Sequence, residues 1–248
     1  MSVYGGPADW WTNGTDAGRT HIATKGIVQS GLVLNLDPGV SSSYPGSGTT
    51  LSDLSGNAFN ATLTDGPTFT TDNGGALVFD GTNDTVQGVH NATLDLTGNL
   101  TIECWFRVTS TRADWVRVFG KGTSLLRTYG LWYNYSANNF LYQRTRSNGT
   151  IFDAVIVFPI TVNLNAWYHI AATSSGTSHI LYVNGVQVGS ATSSLSTFDS
   201  TTSPYIIGYG NAHVYHFGNI GPCRLYSRAL TAAEVLQNFN ALRGRFGV

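Results

Sequence analysis

The chain has 248 residues, 42% of them hydrophobic and 12% aromatic, which is enough to build one large core in a single domain. Only 11% of the residues are charged, against about 25% in an ordinary soluble domain, so the surface is expected to be polar but uncharged. With 13 Lys and Arg against 14 Asp and Glu, the net charge of -1 argues against a partner that is nucleic acid or an anionic membrane.

Residues 1–30 lack a helical or strand period and are predicted to form an N-terminal arm. The arm carries Tyr4, Trp10 and Trp11, and aromatic side chains of this kind are favoured anchors at protein interfaces. We therefore expect the arm to pack across a neighbouring subunit or another protein of an assembly. The alternative is that it folds back and covers a sheet edge of its own domain. Neither a signal-peptide pattern nor a run of about 18 apolar residues is visible, so we expect no membrane span.

Residues 31–248 are predicted to form one all-β domain of the sandwich or barrel type. Short alternating apolar runs are separated by Gly, Asn, Asp and Pro, and they lie at residues 32–36, 76–79, 100–106, 167–171, 179–183, 205–207 and 224–226. Between two of these runs, Asn184 and Gly185 predict a type I′ hairpin turn. The side chains expected in the core are Trp105, Phe106, Trp167, Ile170, Leu181, Val183, Ile207 and Leu225.

The sequence also predicts one short helix near the C-terminus and two buried thiols. Thr231 is suited to the N-cap, and Glu234 follows three residues later, as in a capping box. Apolar residues then recur at helical spacing, and the helix is expected to end near Gly244. Cys104 and Cys223 lie in strand-like segments; two buried thiols are expected, although the two could pair.

Five segments, in this order and spacing, resemble the laminin G-like jelly roll of the concanavalin A-like fold. They are FDGTND at 79–84, LTIECWF at 100–106, WYHIA at 167–171, LYVNG at 181–185 and RLYSRALT at 224–231. The resemblance implies a jelly-roll sandwich of two antiparallel sheets, one of them concave, followed by the short helix. It also implies a module that serves in binding and assembly.

A second set of segments resembles the laminin G-like proteins of tailed bacteriophages. It consists of GLVLNLDP at 31–38, SYPGSG at 43–48, DLSGN at 53–57 and DGPTF at 65–69. This resemblance implies a virion structural protein, either a capsid decoration or a tail or fibre component, made in the host cytoplasm. Its partners would be other virion proteins and further copies of itself.

The sequence gives little support to catalysis, so the chain is not expected to be an enzyme. Most glycosidases use two positioned carboxylates, whereas this chain has two glutamates, one in a predicted strand (Glu103) and one in the helix cap (Glu234). Most aspartates lie in turns, and no Gly-x-Ser-x-Gly elbow occurs. His213 and His216 have a spacing that could serve a metal, but ordinary hydrogen-bonding roles are favoured because a third ligand is missing.

Calcium is the one cofactor that the sequence indicates. Asp80, Asn83 and Asp84 cluster in one turn, and Asp53 with Asn57 forms a second oxygen-rich loop. The alternative interpretation is that these side chains bond the backbone of their own turns.

A glycan-binding or partner-binding surface is predicted on two consecutive strand candidates. Sugar sites combine aromatic faces with planar polar groups, and Trp132, Tyr142 and Arg144 supply both. Period two places Phe140, Tyr142 and Arg144 on one face of their strand. The ligand would be a cell-surface glycan in a lectin-like module, or a protein partner that uses the same aromatic groove.

Overall fold

The computed structural model describes residues 26–122, 127–146, 151–194, 196–209 and 214–248, and of residues 145, 146 and 151–155 the backbone alone. The predicted arm residues Tyr4, Trp10 and Trp11 lie outside the described residues, as does His213. Within the described ranges, no helix is long and apolar enough to span a membrane.

The described residues form sixteen strands and one α-helix. They are β1 (Leu32–Leu36), β2 (Thr50–Leu51), β3 (Ala61–Thr64), β4 (Thr68–Thr70), β5 (Ala76–Asp80), β6 (Thr85–Gly88), β7 (Leu100–Val108), β8 (Trp115–Gly122), β9 (Arg127–Asn134), β10 (Asn139–Arg146), β11 (Ile151–Pro159), β12 (Trp167–Ser175), β13 (Ser178–Val183), β14 (Val186–Thr192), β15 (Tyr205–Ile207), β16 (Phe217–Tyr226) and α1 (Ala232–Phe246).

The strands make two antiparallel sheets of eight strands each, packed as a sandwich. The first sheet has the order β14-β13-β12-β7-β16-β5-β4, and β1 also pairs with β16. The second sheet has the order β11-β10-β9-β8-β15-β6-β3-β2. The predicted fold class, a two-sheet jelly roll of the concanavalin A-like type with one C-terminal helix, is confirmed.

The core divides into two layers because strand side chains alternate between faces. On β7, Cys104 and Phe106 join the large cluster between the sheets, whereas Trp105 points to the other face and packs under α1. All eight side chains predicted for the core are buried. Trp105 and Trp167 belong to the layer beneath the helix rather than to the space between the sheets.

The predicted hairpin and capping box are confirmed. Asn184 and Gly185 have φ values of 49° and 76° and connect β13 to β14. Thr231 accepts a hydrogen bond from the Glu234 backbone, and the Glu234 side chain accepts one from the Thr231 backbone.

The predicted end of the helix is wrong by one half-turn. The helix runs to Phe246 and is terminated by Gly247, whose φ of 71° is in the left-handed region. Phe246 extends the helix because its ring stacks on Trp105, with ring centroids 4.3 Å apart, and lies 4.5 Å from Trp167.

Cys104 and Cys223 are direct cross-strand partners on β7 and β16, and their sulfur atoms are 3.3 Å apart. Both are free and buried, as predicted. Burial and the neighbouring thiol raise the pKa of Cys104, so the group is an unreactive thiol at neutral pH.

Candidate functional site

A cavity of about 230 Å³ opens at one end of the sandwich, where three connections meet. It lies between the β5–β6 turn, the β7–β8 loop and the segment before β16. We call it the rim pocket, and it is lined by Gly81, Arg112, Ala113, Asp114, Val214 and Tyr215. The residues that line the pocket therefore include an arginine, an aspartate and a tyrosine.

Arg112 is held in place from two sides. Its Nη2 donates a hydrogen bond to the Gly81 carbonyl at 2.8 Å, and its guanidinium carbon lies 5.0 Å from the centre of the Phe217 ring. Its Nε is buried without a hydrogen-bond partner among the described residues. Gly81 has a φ of 75°, and a Cβ there would come within 1.6 Å of Arg112 Nη2. Only glycine fits both this backbone and this close approach.

Tyr215 forms the aromatic wall of the rim pocket. Its ring centroid lies 5.2 Å from that of Tyr209, and the two residues form an antiparallel bridge. The Tyr209 carbonyl accepts a hydrogen bond from Arg117 Nε at 3.2 Å, which ties this wall to strand β8. A partly exposed aromatic ring beside charged planar groups is the combination expected for stacking on the apolar side of a sugar ring.

The Asp80–Asp84 turn borders the rim pocket but uses its carboxylates locally. Asp84 accepts a hydrogen bond from the Asp80 amide at 2.8 Å, and Asp80 accepts one from Thr82 at 2.7 Å. Burial raises the pKa of Asp84, and the charges of Asp80 and Asp65 add to the effect. Asn83 is exposed at the tip of the turn. This geometry supports the alternative interpretation, in which the side chains fix their own turn.

Asp53, the other predicted calcium ligand, is fully engaged by its own loop. One carboxylate oxygen accepts from the amides of Asn35 and Ser55, and the other accepts from the Ser55 hydroxyl and the Phe59 amide. In the described part of the chain, no group of three or more His, Cys, Asp or Glu residues is placed to hold a metal. In both loops the carboxylates bond to groups of their own turn or of the adjoining strand, which favours the interpretation without a metal.

The predicted aromatic groove of Trp132, Tyr142 and Arg144 is corrected by the structure. Period two does place Tyr142 and Arg144 on one face of β10, but that face is the inner one, and both side chains have 0% exposure. Tyr142 contacts the Ser174 hydroxyl at 2.6 Å between the sheets, and Arg144 donates to the carbonyls of Leu96 and Gly98. Trp132 lies on the outer face but is only 2% exposed. The three side chains do not form an exposed surface.

Sequence reasoning missed Arg112, Asp114 and Tyr215 because they come from loops far apart in the chain. Their residue types were visible, but no local pattern brings residues 81, 112 and 215 together. The one available signal was Gly81, since a glycine directly after a strand indicates a left-handed turn or a close approach.

The laminin G-like family described as the concanavalin A-like lectin/glucanases superfamily matches residues 80–236 of this chain. The chain belongs to this superfamily. The matched range begins at the turn that borders the rim pocket and extends into α1, so it includes the loops that line the pocket. No curated protein sequence matches the chain.

Solved structures with a similar fold include two toxin binding domains and a sialidase. The binding domain of Paraclostridial Mosquitocidal Protein 1 has a TM-score of 0.69 and 20% identity, covering 86% of this chain and 52% of that one. The botulinum neurotoxin serotype D binding domain has a TM-score of 0.67 and 14% identity, covering 86% and 52%. Trypanosoma rangeli sialidase in complex with the inhibitor DANA has a TM-score of 0.64 and 15% identity, covering 88% and 36%. The chain thus spans about half the length of the toxin binding domains, and these similarities establish the fold.

The superfamily name covers both lectins and glucanases. Because most glycosidases use a pair of carboxylates, the positions of the two glutamates bear on whether this chain could hydrolyse a glycan. Glu103 is buried beneath α1, where it accepts hydrogen bonds from Arg224 and Asn238, both at 3.0 Å, and lies 3.5 Å from His169. Burial raises its pKa, but His169 and Arg224 outweigh that effect and hold the pKa at about 2. Glu234 is engaged by the capping box and by Arg228 at 2.6 Å. Neither glutamate lines the rim pocket.

Proposed function

We propose that this chain is a non-catalytic carbohydrate-binding module whose rim pocket holds one sugar ring of a cell-surface glycan. The observation that carries the proposal is the composition of the pocket: Tyr215, Arg112 and Asp114 line one open cavity. An aromatic ring packs on the apolar side of a pyranose, and planar charged groups hydrogen-bond its hydroxyls.

The size of the pocket supports recognition of an end group rather than a long substrate. Its volume of about 230 Å³ is below the roughly 300–1,000 Å³ of typical small-molecule sites. A shallow site of this size suits a lectin that gains affinity by presenting several copies.

The engagement of both glutamates supports binding rather than hydrolysis. A glycosidase needs an acid and a second carboxylate on opposite sides of the scissile bond. Glu103 is sealed beneath the helix, and Glu234 caps the helix. Two of the similar structures are themselves named binding domains, which is consistent with this proposal by analogy of fold.

A glycan array probed with the purified full chain tests the proposal. We expect binding to a restricted set of glycans, lowered at least tenfold by Tyr215→Ala and by Arg112→Gln, because these variants remove the stacking face and the hydroxyl donor. Val186→Thr is the matched control, since Val186 is 62% exposed on β14 and does not line the pocket. Absence of binding to every glycan, or unchanged binding by both pocket variants, would refute the proposal.

We further propose that the module is a component of a bacteriophage virion. The support is the resemblance of the segments between residues 31 and 69 to phage laminin G-like proteins, together with the aromatic residues of the arm. A low charge content is compatible with a protein that is packed in an assembly. Mass spectrometry of purified particles should find the chain in a fixed ratio to the capsid or tail proteins, and its absence from intact particles would rule this role out.

A further inference from the structure

The outer face of the second sheet carries a cluster of hydrogen-bond donors above two facing glycines. Gly120 on β8 pairs directly with Gly130 on β9. Since Tyr129, Leu131 and Tyr133 belong to the core, Thr128 and Trp132 point to the opposite, outer face. We call the site above these glycines, bounded by Arg117, Thr128 and Trp132, the glycine hollow.

The two glycines allow the neighbouring side chains to lie flat across the sheet. A Cβ at Gly130 would be 2.8 Å from Trp132 Nε1, and one at Gly120 would be 3.0 Å from Arg117 Cδ. The indole nitrogen of Trp132 therefore lies over Gly130. Since Gly130 and Thr128 are neighbours on the outer face of β9, about 7 Å apart along the strand, Trp132 Nε1 and the Thr128 side chain lie next to each other on that face.

Trp132 Nε1 and the Thr128 hydroxyl have no acceptor among the described residues. Trp132 is 2% exposed and Thr128 is 1% exposed, and neither Trp132 Nε1 nor Thr128 Oγ1 has a hydrogen-bond partner among the residues that the structure describes. Buried polar groups in native proteins are nearly always satisfied, and each exception calls for an explanation such as a bound ion.

Two guanidinium groups lie beside the glycine hollow. Arg117 is 1% exposed, donates to the carbonyls of Gly122 and Tyr209, and lies 5.5 Å from the centre of the Trp132 ring. The guanidinium carbon of Arg127 lies 4.7 Å from the same ring. No carboxylate of the described ranges forms an ion pair with Arg117. Burial and the charge of Arg127 lower the pKa of Arg117 to about 9, which an anion would reverse.

We propose that the glycine hollow binds a single oxyanion group of a ligand, a carboxylate, sulfate or phosphate. Trp132 Nε1 and the Thr128 hydroxyl donate hydrogen bonds to the oxyanion, and Arg117 supplies the compensating charge. The Tyr209 carbonyl that accepts from Arg117 belongs to the residue that packs against Tyr215 of the rim pocket. An acidic glycan could therefore engage both sites, but the proposal needs only the anion and does not rest on the rim pocket.

Titration of the full chain with sodium sulfate, phosphate and acetate, at ionic strength held constant with sodium chloride, tests the proposal by calorimetry. We expect saturable binding at one site that chloride does not reproduce. Stronger binding of sulfate and phosphate would identify a tetrahedral group, and stronger binding of acetate a carboxylate. Arg117→Met should weaken binding at least tenfold, and Thr128→Val and Trp132→Phe several-fold each, because each removes one donor.

Thr128→Val keeps the shape of the side chain, so it remains informative even where Arg117→Met fails to fold. Its melting temperature without anion should equal that of the wild type, because the hydroxyl has no partner to lose, while the increase caused by sulfate should shrink. Val186→Thr is the control and should bind sulfate normally, because Val186 is exposed on β14 of the first sheet. No saturable binding above chloride, or wild-type affinity in both Thr128→Val and Trp132→Phe, would overturn the proposal, whatever the glycan array reports for the rim pocket.

Discussion

Single buried residues account for the way in which the stability of this domain should depend on pH. His216 is fully buried, with its Nδ1 3.2 Å from the Tyr133 hydroxyl and its Nε2 3.4 Å from the Asn219 carbonyl. Burial lowers its pKa from 6.5 to about 3. Below pH 6.5 His216 is protonated in the unfolded chain but stays neutral in the folded chain. The stabilisation by neutral His216 is therefore complete above pH 6.5 and is lost as the pH falls toward 3.

The free energy of unfolding should accordingly fall between pH 7 and pH 4, with His216 contributing a slope of up to about 1.4 kcal/mol per pH unit. His216→Gln should flatten that slope. Tyr133→Phe is the control, because it removes the neighbouring hydroxyl but retains the imidazole, and should keep the slope of the wild type. Glu103, with its pKa lowered from 4.5 to about 2, acts in the same direction at lower pH. Urea unfolding at several pH values measures these slopes, and an unaltered slope in His216→Gln would contradict the assignment.

Also at the scale of residues, the sequence predicts which side chains of a strand share a face, but not which of the two faces points into the core. The period of two correctly groups Tyr142 with Arg144, and nothing in the local sequence says that this face turns inward. Arg144 can be fully buried because two backbone carbonyls from the segment before β7 accept hydrogen bonds from its guanidinium group. In addition, the Phe198 ring lies 4.1 Å from its guanidinium carbon. Those partners are about 50 residues away in sequence on either side. The sequence of β10 alone therefore does not show that Arg144 is buried.

Among the elements, those specified by adjacent residues were predicted well. The β13–β14 hairpin and the N-terminus of α1 follow from Asn184-Gly185 and from the Thr231–Glu234 pair, because both signals act through the backbone of their own segment. The C-terminal end of α1 was misplaced because it depends on the contact of Phe246 with Trp105 and Trp167, which lie on the first sheet. The rim pocket could not be predicted for the same reason, as it combines three separate connections.

The last turn of α1 is expected to stabilise the domain through the Phe246 ring. Phe246→Ala removes a ring that is 3% exposed, stacked on Trp105 and in contact with Trp167, and should lower the free energy of unfolding by about 3–5 kcal/mol. Leu236→Ala on the same helix is the matched control, since Leu236 is 42% exposed, and should cost less than about 1 kcal/mol. Equal losses in the two variants, measured by denaturant titration, would show that α1 does not seal a core layer.

For the whole molecule, residues 26–28 lie against the C-terminal helix. The Gly26 carbonyl accepts a hydrogen bond from the Gln237 side chain, and the Val28 amide donates one to the Asn238 side chain. These contacts hold residues 26–28 against α1.

If residues 1–25 pack on a neighbouring subunit or another protein of the assembly, their deletion should leave a folded protein with an unchanged β-rich circular dichroism spectrum. If the arm anchors the module in an assembly, the deletion abolishes incorporation into particles. Replacing Trp10 and Trp11 with serine in the full-length chain is the matched variant and should give the same loss. Collapse of the fold on deletion would instead favour the alternative, in which the arm covers its own domain.

The position of β16 in the first sheet has a consequence for biosynthesis. This strand, Phe217–Tyr226, is the hydrogen-bonded partner of β1, β5 and β7, although those strands precede it by about 110 to 190 residues. A nascent chain emerging from the ribosome must keep three strand edges unpaired until the last strand is made, at a rate of about 5–20 residues per second. Folding of this domain can therefore be completed only after residue 226 has been synthesised, and the unpaired edges leave the unfinished chain prone to aggregation.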